Sequence, residues 1–438
     1  MAAQDTAVHD KSAGHDERRV ARNIVRGSVG NLIEWYDWYA YTAFSVYFAA
    51  AFFPSGDQTA QLLNTAAVFA VGFLMRPIGG WILGRYADRR GRRSALTLSV
   101  TLMAAGSLIV ALTPSYGTIG VVAPVLLVTA RLLQGISVGG EYSTSATYMS
   151  EMATPGKRGY YSSFQYVTLI AGQLTALGLQ IVLQSVLSDG QMESWGWRIA
   201  FVVGAAGAVV VLWLRRGMDE SESFEQTASS GSGESRGSLR TLLSYPRQCL
   251  VVVGLTMGGT LFFYTYTTYL QKFMVNTSGI AKPTAAWINF CALLVFVVLQ
   301  PAMGRLSDRV GRRPLLIAFG VLGALVVVPS LTLLSHTDNP YYAFALMVVP
   351  LAISSLYTSI SAVVKAELFP TAVRALGVGL PYALTVALFG GTAEYIALWF
   401  KDIGHETWYF YYVTACVLTS LFVYIRMRET SDGSPLDE

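Results

Sequence analysis

Charged residues are scarce in this chain of 438 residues, and that scarcity excludes an ordinary water-soluble protein. Asp, Glu, Lys and Arg make up 13% of the sequence, against roughly 25% in typical soluble domains. Apolar residues, 53% of the chain, gather into recurring stretches of about 20 residues. Each stretch is long enough to cross a bilayer as a helix, so the sequence predicts a polytopic membrane protein.

Cysteine and histidine are also scarce, which argues against disulfide frameworks, metal clusters and bound cofactors. The three cysteines lie far apart in apolar segments, with no paired spacing. The four histidines lie in the polar N-terminus and in two short loops. An intramembrane enzyme that needs an imidazole base or a metal is therefore not expected, and we expect no cofactor and no metal.

Two functional signatures are missing as well. The first 25 residues lack the basic start, apolar core and cleavage site of a secretory signal, so the first span is expected to direct insertion. The one Gly-Lys pair, Gly156-Lys157, is followed by Arg158 and lacks the upstream glycines of a nucleotide-binding loop. We do not expect ATP to drive this protein.

Hydropathy predicts twelve membrane helices in two halves. They begin near residues 27, 61, 94, 119, 160, 198, 248, 284, 314, 341, 375 and 406. The long polar stretch over 217–247, with its Ser/Gly-rich run, is typical of a flexible linker. The predicted parts are a tail over 1–25, a six-helix bundle over 26–216, the linker over 217–247, a second bundle over 248–428 and a short tail over 429–438.

The distribution of basic residues predicts the orientation. If the N-terminus is cytoplasmic, the tails and the loops on the same side hold 25 of the 31 Lys and Arg, two of them after the tenth span. This asymmetry places both termini in the cytoplasm, as in an inner-membrane protein. It also accounts for the net charge of +4 without a nucleic-acid partner. The other six are Arg76 and Arg131 within spans, Arg198 at an outer span end, and Lys272, Lys282 and Lys401 outside.

An internal repeat supports the division into halves. Residues 84–93 read GRYADRRGRR and residues 304–313 read GRLSDRVGRR, an offset of 220. A glutamate followed seven residues later by an arginine then recurs at an offset of 216, as Glu151 with Arg158 and as Glu367 with Arg374. Two near-equal offsets predict parallel duplicated halves related by an axis along the membrane normal.

The repeated loop and the run Arg131-Leu-Leu-Gln134-Gly135 resemble the major facilitator superfamily. Shorter runs at 30–37, 76–80, 139–142 and 195–198 narrow the resemblance to the metabolite:proton symporter branch. Longer runs at 144–151, 164–170, 264–277 and 357–380 are most similar to members that transport α-ketoglutarate. The resemblance covers roughly residues 20–428.

The resemblance implies an all-α membrane protein with twelve helices in two pseudo-symmetric six-helix bundles. It further implies a secondary active transporter that imports α-ketoglutarate with protons by alternating access. Other substrates stay open, namely citrate, shikimate and osmoprotectants such as proline or betaine. The osmoprotectant symporters typically carry a long C-terminal coiled coil, whereas this chain stops about ten residues after Arg428. A sensor that binds a metabolite without moving it should carry a signalling domain, and no polar segment here exceeds about forty residues.

Charged residues inside the predicted spans are the strongest sign of function, because each costs about 2.5 to 3.5 kcal/mol at the bilayer centre unless paired or hydrated. In the first half these are Glu34, Asp37, Arg76, Arg131 and Glu141. Counting about 1.5 Å per residue from the cytoplasmic helix ends puts four of them near the midplane and Arg131 nearer the outer surface. We predict that Asp37, Glu34 and Glu141 couple protons, and the resemblance implies that Asp37 pairs with Arg131.

Arginine is the expected ligand of a carboxylate, because its planar fork donates two parallel hydrogen bonds to one carboxylate group. A dicarboxylate entering a negative-inside cell is opposed by about 4.6 kcal/mol per 100 mV, so protons must travel with it. The predicted substrate-binding residues are Arg76, Arg131, Arg198, Tyr36, Gln165, Gln173, Tyr264, Tyr266 and Tyr357. For Arg198, interfacial snorkelling beside Trp195 and Trp197 is an equal alternative. Glu394 is predicted to form a local structural pair.

The repeated loops carry glycines and an aspartate that add nothing to a positive-inside bias. In the resembled superfamily this loop belongs to the cytoplasmic gate, and its aspartate stabilises the outward-open state. The predicted gate residues are Gly84, Asp88, Arg89, Gly91, Arg92, Asp308, Arg309, Glu151, Arg158, Glu367 and Arg374. We expect a monomer whose partners are a small carboxylate, protons and the lipid bilayer.

Overall fold

The first half of the chain forms six helices in the computed structural model, which describes residues 32–90, 92–139, 156–216, 242–370 and 373–431. Short helices Tyr116–Ile119 and Asp189–Gln191 and a π-helical turn Met192–Gly196 lie between the long ones. The long helices are α1 over 32–52, α2 Gln58–Arg90, α3 Arg92–Leu112, α4 Val122–Gly139, α5 Arg158–Val186 and α6 Arg198–Arg216.

The second half also forms six helices, three of which are interrupted. Helix α7 passes through a π-helical turn at Thr265–Tyr269, α10 breaks at residues 359–360, and α11 has a π-helical turn at Val386–Gly390. The segments are α7 Pro246–Tyr264 with Leu270–Asn276, α8 Lys282–Val310, α9 Arg312–Ser335, α10 Pro340–Thr358 with Ser361–Glu367, α11 Arg374–Thr385 with Ala393–Asp402, and α12 Glu406–Arg426.

The predicted helix starts agree with these bounds. From α2 to α12 each helix begins within three residues of its predicted position, and the predicted start of α1 near residue 27 lies outside the described residues. The interruptions in α7, α10 and α11 were not predicted, because an apolar window does not register a local change of helical pitch. Breaks of this kind in membrane helices are frequent at functional sites.

Nine helices of the described part are long and apolar enough to cross a membrane, and a bent pair around residues 189–213 supplies a tenth. Helix α1 fails this test because Glu34, Asp37 and several Tyr and Trp residues lower its hydropathy. In α3 only Thr97–Leu112 is apolar. Nearly all of α1 from residue 34 to residue 49 is buried, so its polar groups face other helices rather than lipid.

Close packing of α2 against α4 brings two buried arginines together. A Cβ atom on Gly135 would overlap the backbone carbonyl of Gly72, and one on Gly139 would overlap that of Arg76. Glycine at these positions lets the two helix backbones touch, as small residues do in membrane bundles. Arg76 on α2 therefore lies within reach of Arg131 on α4.

The two halves meet along two helix pairs that are related by the sequence repeat. Helix α5 packs against α8, and α2 packs against α11. Because the repeat relates α2 to α8 and α5 to α11, each pair is the counterpart of the other. The predicted pseudo-symmetric pair of bundles is confirmed, and the buried arginines lie beside one of its two seams.

Candidate substrate and proton site

Two buried guanidinium groups contact the ring of Trp38. The Cζ atom of Arg76 is 4.3 Å from the centroid of the Trp38 ring, and that of Arg131 is 4.1 Å from it. Each arginine also contacts a further aromatic ring. The Cζ atom of Arg76 is 3.9 Å from the centroid of Phe73, and that of Arg131 is 4.5 Å from the centroid of Tyr41. The rings offer cation–π contacts but no hydrogen-bond acceptor.

Both arginines keep unused donors. Arg76 is 5% exposed and Arg131 is 0% exposed. The Nε and Nη2 groups of each have no hydrogen-bond partner within the described part of the chain. A buried, charged donor without a partner carries a large desolvation penalty. Four N–H-bearing nitrogens around one tryptophan thus form a site that an anion would complete.

Asp37 is linked to Arg131 through Gln134 rather than directly. Arg131 Nη1 donates to Gln134 Oε1 over 2.7 Å, and Gln134 Nε2 donates to Asp37 Oδ2 over 2.5 Å. The Ser107 hydroxyl donates to the other oxygen of Asp37. The predicted direct ion pair is therefore replaced by a relay, in which the Gln134 amide joins the carboxylate of Asp37 to the guanidinium of Arg131.

The predicted depth of Arg131 was wrong. A count from the helix ends put it nearer the outer surface, yet it shares the Trp38 ring with Arg76. The count measures each helix from its own end, and it does not register which residues come together where α2 and α4 touch through glycines. Gln134 itself was missed, although its spacing of three from Arg131 places both on one helix face.

Glu34 lies one helical turn before Asp37 and faces the same helices. It is 7% exposed and lines a small cavity with Val100, Ser137 and Val211 from α3, α4 and α6. The other predicted coupling acid, Glu141, lies outside the described residues.

Tyrosines of the second half face the arginines across the seam. The Tyr264 ring packs edge-on against Phe73 at 5.3 Å, and its hydroxyl faces Arg76. Tyr166 on α5 neighbours both Tyr264 and Tyr357. Gln173 on α5 donates to the backbone carbonyl of Thr267, within the π-helical turn of α7.

Several predicted binding residues have other contacts. Tyr36 donates to the Ala200 carbonyl over 2.7 Å, and Tyr266 shares a 2.6 Å hydrogen bond with Ser330 inside the second bundle. Arg198 donates to the Thr113 carbonyl over 2.7 Å and stacks on Trp197 at 4.1 Å. It caps the end of α3, as the interfacial alternative implied. Gln165 is buried on α5.

On the face of the repeated loops, Asp308 joins the two halves. Its carboxylate accepts the backbone N–H groups of Gly159 and Tyr160 over 2.8 and 2.9 Å, at the start of α5. A carboxylate there also suits the positive end of the helix dipole. Arg312 holds Asp308 at 2.8 Å and reaches Glu367 at 3.5 Å. The predicted gate residues Asp308 and Glu367 are thus brought together by an arginine that we had not named.

The remaining predicted gate residues divide by location. Arg309 is exposed. Arg374 donates to the Phe369 carbonyl over 3.2 Å, and Arg158 is buried near Glu367. Gly91 and Glu151 lie outside the described residues. For Gly84, Asp88, Arg89 and Arg92 the structure describes only the helical backbone.

The opposite face also carries contacts between the halves. Lys282 at the start of α8 forms a 2.8 Å ion pair with Glu193, and Asn276 donates to Thr59 over 3.2 Å. Deeper in, Gln271 donates to Gln180 over 3.2 Å. The halves therefore touch on both sides of the buried arginines, so the described part of the chain encloses the site.

Two buried lysines were misassigned from sequence. Lys272, predicted to lie outside, is 2% exposed and forms a 2.5 Å ion pair with Glu394, so the predicted local pair of Glu394 is present. Lys365, counted with the basic loop after the tenth span, is 0% exposed and lies 3.9 Å from the Tyr382 ring. Helix α10 continues after its break to Glu367, beyond the end of a span of ordinary length that begins near residue 341.

Comparisons with known proteins agree with this architecture. The model of the sugar (and other) transporter family matches residues 24–244 and again 219–438. The chain is 51% identical to the α-ketoglutarate permease of Escherichia coli over 436 residues, which cover 100% of both chains. It is 34% identical to the citrate-proton symporter of Klebsiella pneumoniae, over 85% of this chain and 84% of that one.

Solved structures show the same fold at low sequence identity. A D-xylose-proton symporter superposes with a TM-score of 0.72 and 19% identity, covering 94% of this chain and 98% of its own. The xylose transporter of E. coli in a partially occluded inward-open conformation gives a TM-score of 0.69, with 19% identity and the same coverage.

Proposed function

Because this chain belongs to the sugar (and other) transporter family of the major facilitator superfamily, we propose that it imports α-ketoglutarate together with protons. It is a membrane transporter and not an enzyme. The relative that is 51% identical over its whole length is named for α-ketoglutarate, and a second relative is named for citrate and protons. The function is therefore dicarboxylate:proton symport by alternating access.

One observation carries this proposal, namely the pair of buried arginines with unused donors around Trp38. A carboxylate seated between them would accept hydrogen bonds from nitrogens that have no other partner in the described part of the chain. Charge-assisted hydrogen bonds of this kind are among the strongest in proteins. The Tyr264 hydroxyl faces Arg76 from the second half, so a bound carboxylate contacts both bundles.

Proton coupling follows from the relay between Asp37 and Arg131. When Asp37 is ionised, Gln134 orients one amide end toward each charge and holds Arg131 in place. Protonation of Asp37 removes the negative charge from the relay, and Arg131 is then left to the substrate carboxylate. Glu34 and Glu141 are the candidates for passing the proton onward.

Alternating access uses the contacts on the two faces in turn. Opening toward the loop face requires the carboxylate of Asp308 to leave the start of α5. Opening toward the other face requires Lys282 to leave Glu193. Binding of substrate between the arginines and the second half favours the enclosed state and links the two openings.

We place the protein in the inner membrane as a monomer with both termini in the cytoplasm. The halves over 26–216 and 248–428 move against each other, joined by the linker over 217–247. The basic residues concentrate on the side of the repeated loops, which supports this orientation.

Citrate is the second candidate substrate. The 34% identical relative named for citrate and the arginine pair favour it, since any carboxylate suits two guanidinium groups. Relatives named for proline and betaine are 27% identical over 95% of this chain, and their ligands carry a single carboxylate.

Uptake of radiolabelled α-ketoglutarate into proteoliposomes with an imposed pH gradient tests the proposal. We expect gradient-driven accumulation by the unmodified protein, inhibited more strongly by unlabelled α-ketoglutarate than by citrate. An Asp37→Asn variant should exchange substrate across the membrane without responding to the gradient. No uptake by the unmodified protein would reject the substrate, and a variant that still follows the gradient would reject Asp37 as the coupling acid.

A further inference from the structure

Trp38 carries a hydrogen-bond donor that the protein itself does not use. The residue is 0% exposed, and its indole Nε1–H has no hydrogen-bond partner within the described part of the chain. An unpaired buried donor destabilises the folded protein, and buried tryptophan N–H groups therefore usually find an acceptor. The indole of Trp38 is thus ready to donate to a ligand that binds beside it.

Two further unused donors lie beside this indole. The Cζ atoms of Arg131 and Arg76 are 4.1 and 4.3 Å from the centroid of the Trp38 ring. The Nε and Nη2 groups of Arg131 have no partner among the residues that the structure describes. Three unused N–H groups in one place favour a ligand end that carries several acceptor atoms.

Packing against α2 holds the indole in position. A Cβ atom on Gly72 would come within 3.1 Å of Trp38 Cη2 and 3.6 Å of Arg131 Nε. The Phe73 ring packs edge-on against Trp38 at 4.8 Å, and the Phe69 ring lies at 5.4 Å. The benzene end of the indole is therefore packed on α2, next to an unused arginine donor. A donor on a ring held in this way fixes where an acceptor has to lie, as a specificity-determining residue requires.

Trp197 shows that an unpaired indole N–H is not by itself a binding site. Trp197 is also 0% exposed, its Nε1–H has no partner in the described part of the chain, and Arg198 Cζ lies 4.1 Å from its ring. Arg198, however, donates to the backbone carbonyls of Ala111 and Thr113. What distinguishes Trp38 is that the indole and the arginine beside it both have unused donors.

One end of α-ketoglutarate carries acceptors in a matching arrangement. Its α-carboxylate and its keto oxygen belong to adjacent carbon atoms, and neither group has a hydrogen to donate. When that carboxylate lies between the arginines, the keto oxygen comes to lie beside the Trp38 ring.

We propose that the Trp38 indole N–H donates a hydrogen bond to the keto oxygen of α-ketoglutarate while the arginines bind its α-carboxylate. The inference rests on the proposed function and deepens it, because it states which end of the substrate lies at the arginines and what selects a keto acid. Glutarate, in which a methylene group replaces the carbonyl, leaves the indole N–H unpaired. An unpaired buried polar group is a strong basis for rejecting an analogue.

Binding of two matched ligands to the purified protein tests the assignment. The unmodified protein should bind α-ketoglutarate roughly tenfold tighter than glutarate. Trp38→Phe keeps an aromatic ring beside both guanidinium groups and removes the N–H, so it should weaken α-ketoglutarate and reduce the preference to about twofold or less. Trp197→Phe is the matched control, because it removes an unpaired indole N–H beside Arg198, and it should keep the full preference.

A preference that is unchanged in Trp38→Phe would overturn the hydrogen bond. An equal weakening of both ligands would overturn it too, because a change in ring packing affects both ligands alike. An unmodified protein that binds the two ligands equally also rejects the hydrogen bond. These three outcomes leave the proposed function standing, whereas an unmodified protein that does not bind α-ketoglutarate rejects both.

A second variant serves if Trp38→Phe does not fold. Incorporation of benzothienylalanine at position 38 keeps the shape of the indole and replaces its N–H by sulfur, which cannot donate. The same loss of preference for α-ketoglutarate is expected, and an unchanged preference would reject the proposal.

Discussion

In the first half of the molecule, Arg76 and Arg131 rest on aromatic rings and leave N–H donors unused. In the second half, Lys272 lies 2.5 Å from Glu394, and Arg312 lies 2.8 Å from Asp308. All four cations are at least 95% buried. The cations therefore differ in their partners and not in their burial.

Whether a buried cation has an anionic partner predicts whether it serves stability or transport. An ion pair that is complete within the protein holds helices together, and replacing both partners with neutral residues is often harmless. A buried cation without an anionic partner in direct contact destabilises the protein until an anion arrives. The first kind predicts a stability defect upon single substitution, and the second kind predicts a transport defect.

The largest expected effect breaks the complete pair. Glu394→Gln leaves Lys272 buried without its carboxylate and should lower the free energy of unfolding by about 3 to 5 kcal/mol. Thermal unfolding in detergent measures the loss. The double variant with Lys272→Met should recover most of it, and a double variant as unstable as the single one would contradict the comparison.

The next largest effect concerns the buried arginines that have unused donors. Arg131→Met should lower α-ketoglutarate uptake on the order of 100-fold, since truncating a buried charged ligand contact costs roughly 2 to 5 kcal/mol. Its unfolding temperature should stay close to that of the unmodified protein, because the side chain gives up a single hydrogen bond, to Gln134. Arg131→Lys should restore little, because a lysine lacks the planar fork. If Arg131→Met takes up as much α-ketoglutarate as the double variant Lys272→Met with Glu394→Gln, the distinction between ion-paired cations and cations with unused donors fails.

A smaller effect tests the relay. Gln134→Leu removes both the hydrogen bond from Arg131 and the one to Asp37. Hydrogen bonds to charged groups contribute about 1.5 to 3 kcal/mol, so gradient-driven accumulation should fall roughly tenfold. Counterflow exchange at equal pH should fall less. Equal losses in the two assays would show that Gln134 serves binding alone and does not carry the coupling.

The smallest effect lies outside the spans, at Glu429. Burial raises the pKa of this carboxyl, but the backbone N–H groups of Arg312 and Arg313 that it accepts outweigh burial and hold the pKa below its usual value. A lowered pKa stabilises the folded protein above the unfolded pKa, and that stabilisation is lost as the pH falls through the folded pKa. Glu429→Gln should therefore lower the unfolding temperature by about 2 °C or less at pH 7, with no difference in acid. If the unfolding temperatures of the variant and the unmodified protein differ more in acid than at pH 7, the pKa of Glu429 is not lowered by folding.

Much of the fold follows from the sequence because the bilayer requires long apolar spans and because basic loops stay on its cytoplasmic side. From α2 to α12 the helix starts were predicted within three residues, and the repeat of residues 84–93 at 304–313 predicted which helices would be related. Arg76 and Arg131 stood out because a charge inside an apolar run is costly wherever it lies.

The partners of those charges could not be predicted. The amide of Gln134 on α4 joins Asp37 on α1 to Arg131 only because α1 and α4 pack closely, which a linear spacing does not encode. Lys365 was assigned to a loop because a span of about 20 residues that begins near residue 341 ends before it, whereas α10 resumes after its break and continues to Glu367. Arg312 shares the repeated motif with Arg309, and only the packing against α5 shows which of the two meets Asp308.

The most direct measurement is an experimental structure of the protein with α-ketoglutarate bound. The account predicts one carboxylate between Arg76 and Arg131, beside Trp38, with its oxygens about 2.7 to 2.9 Å from the guanidinium nitrogens. A substrate that lies elsewhere, with Arg76 and Arg131 still stacked on their rings and bound to nothing else, would contradict the claim that these buried cations await an anion.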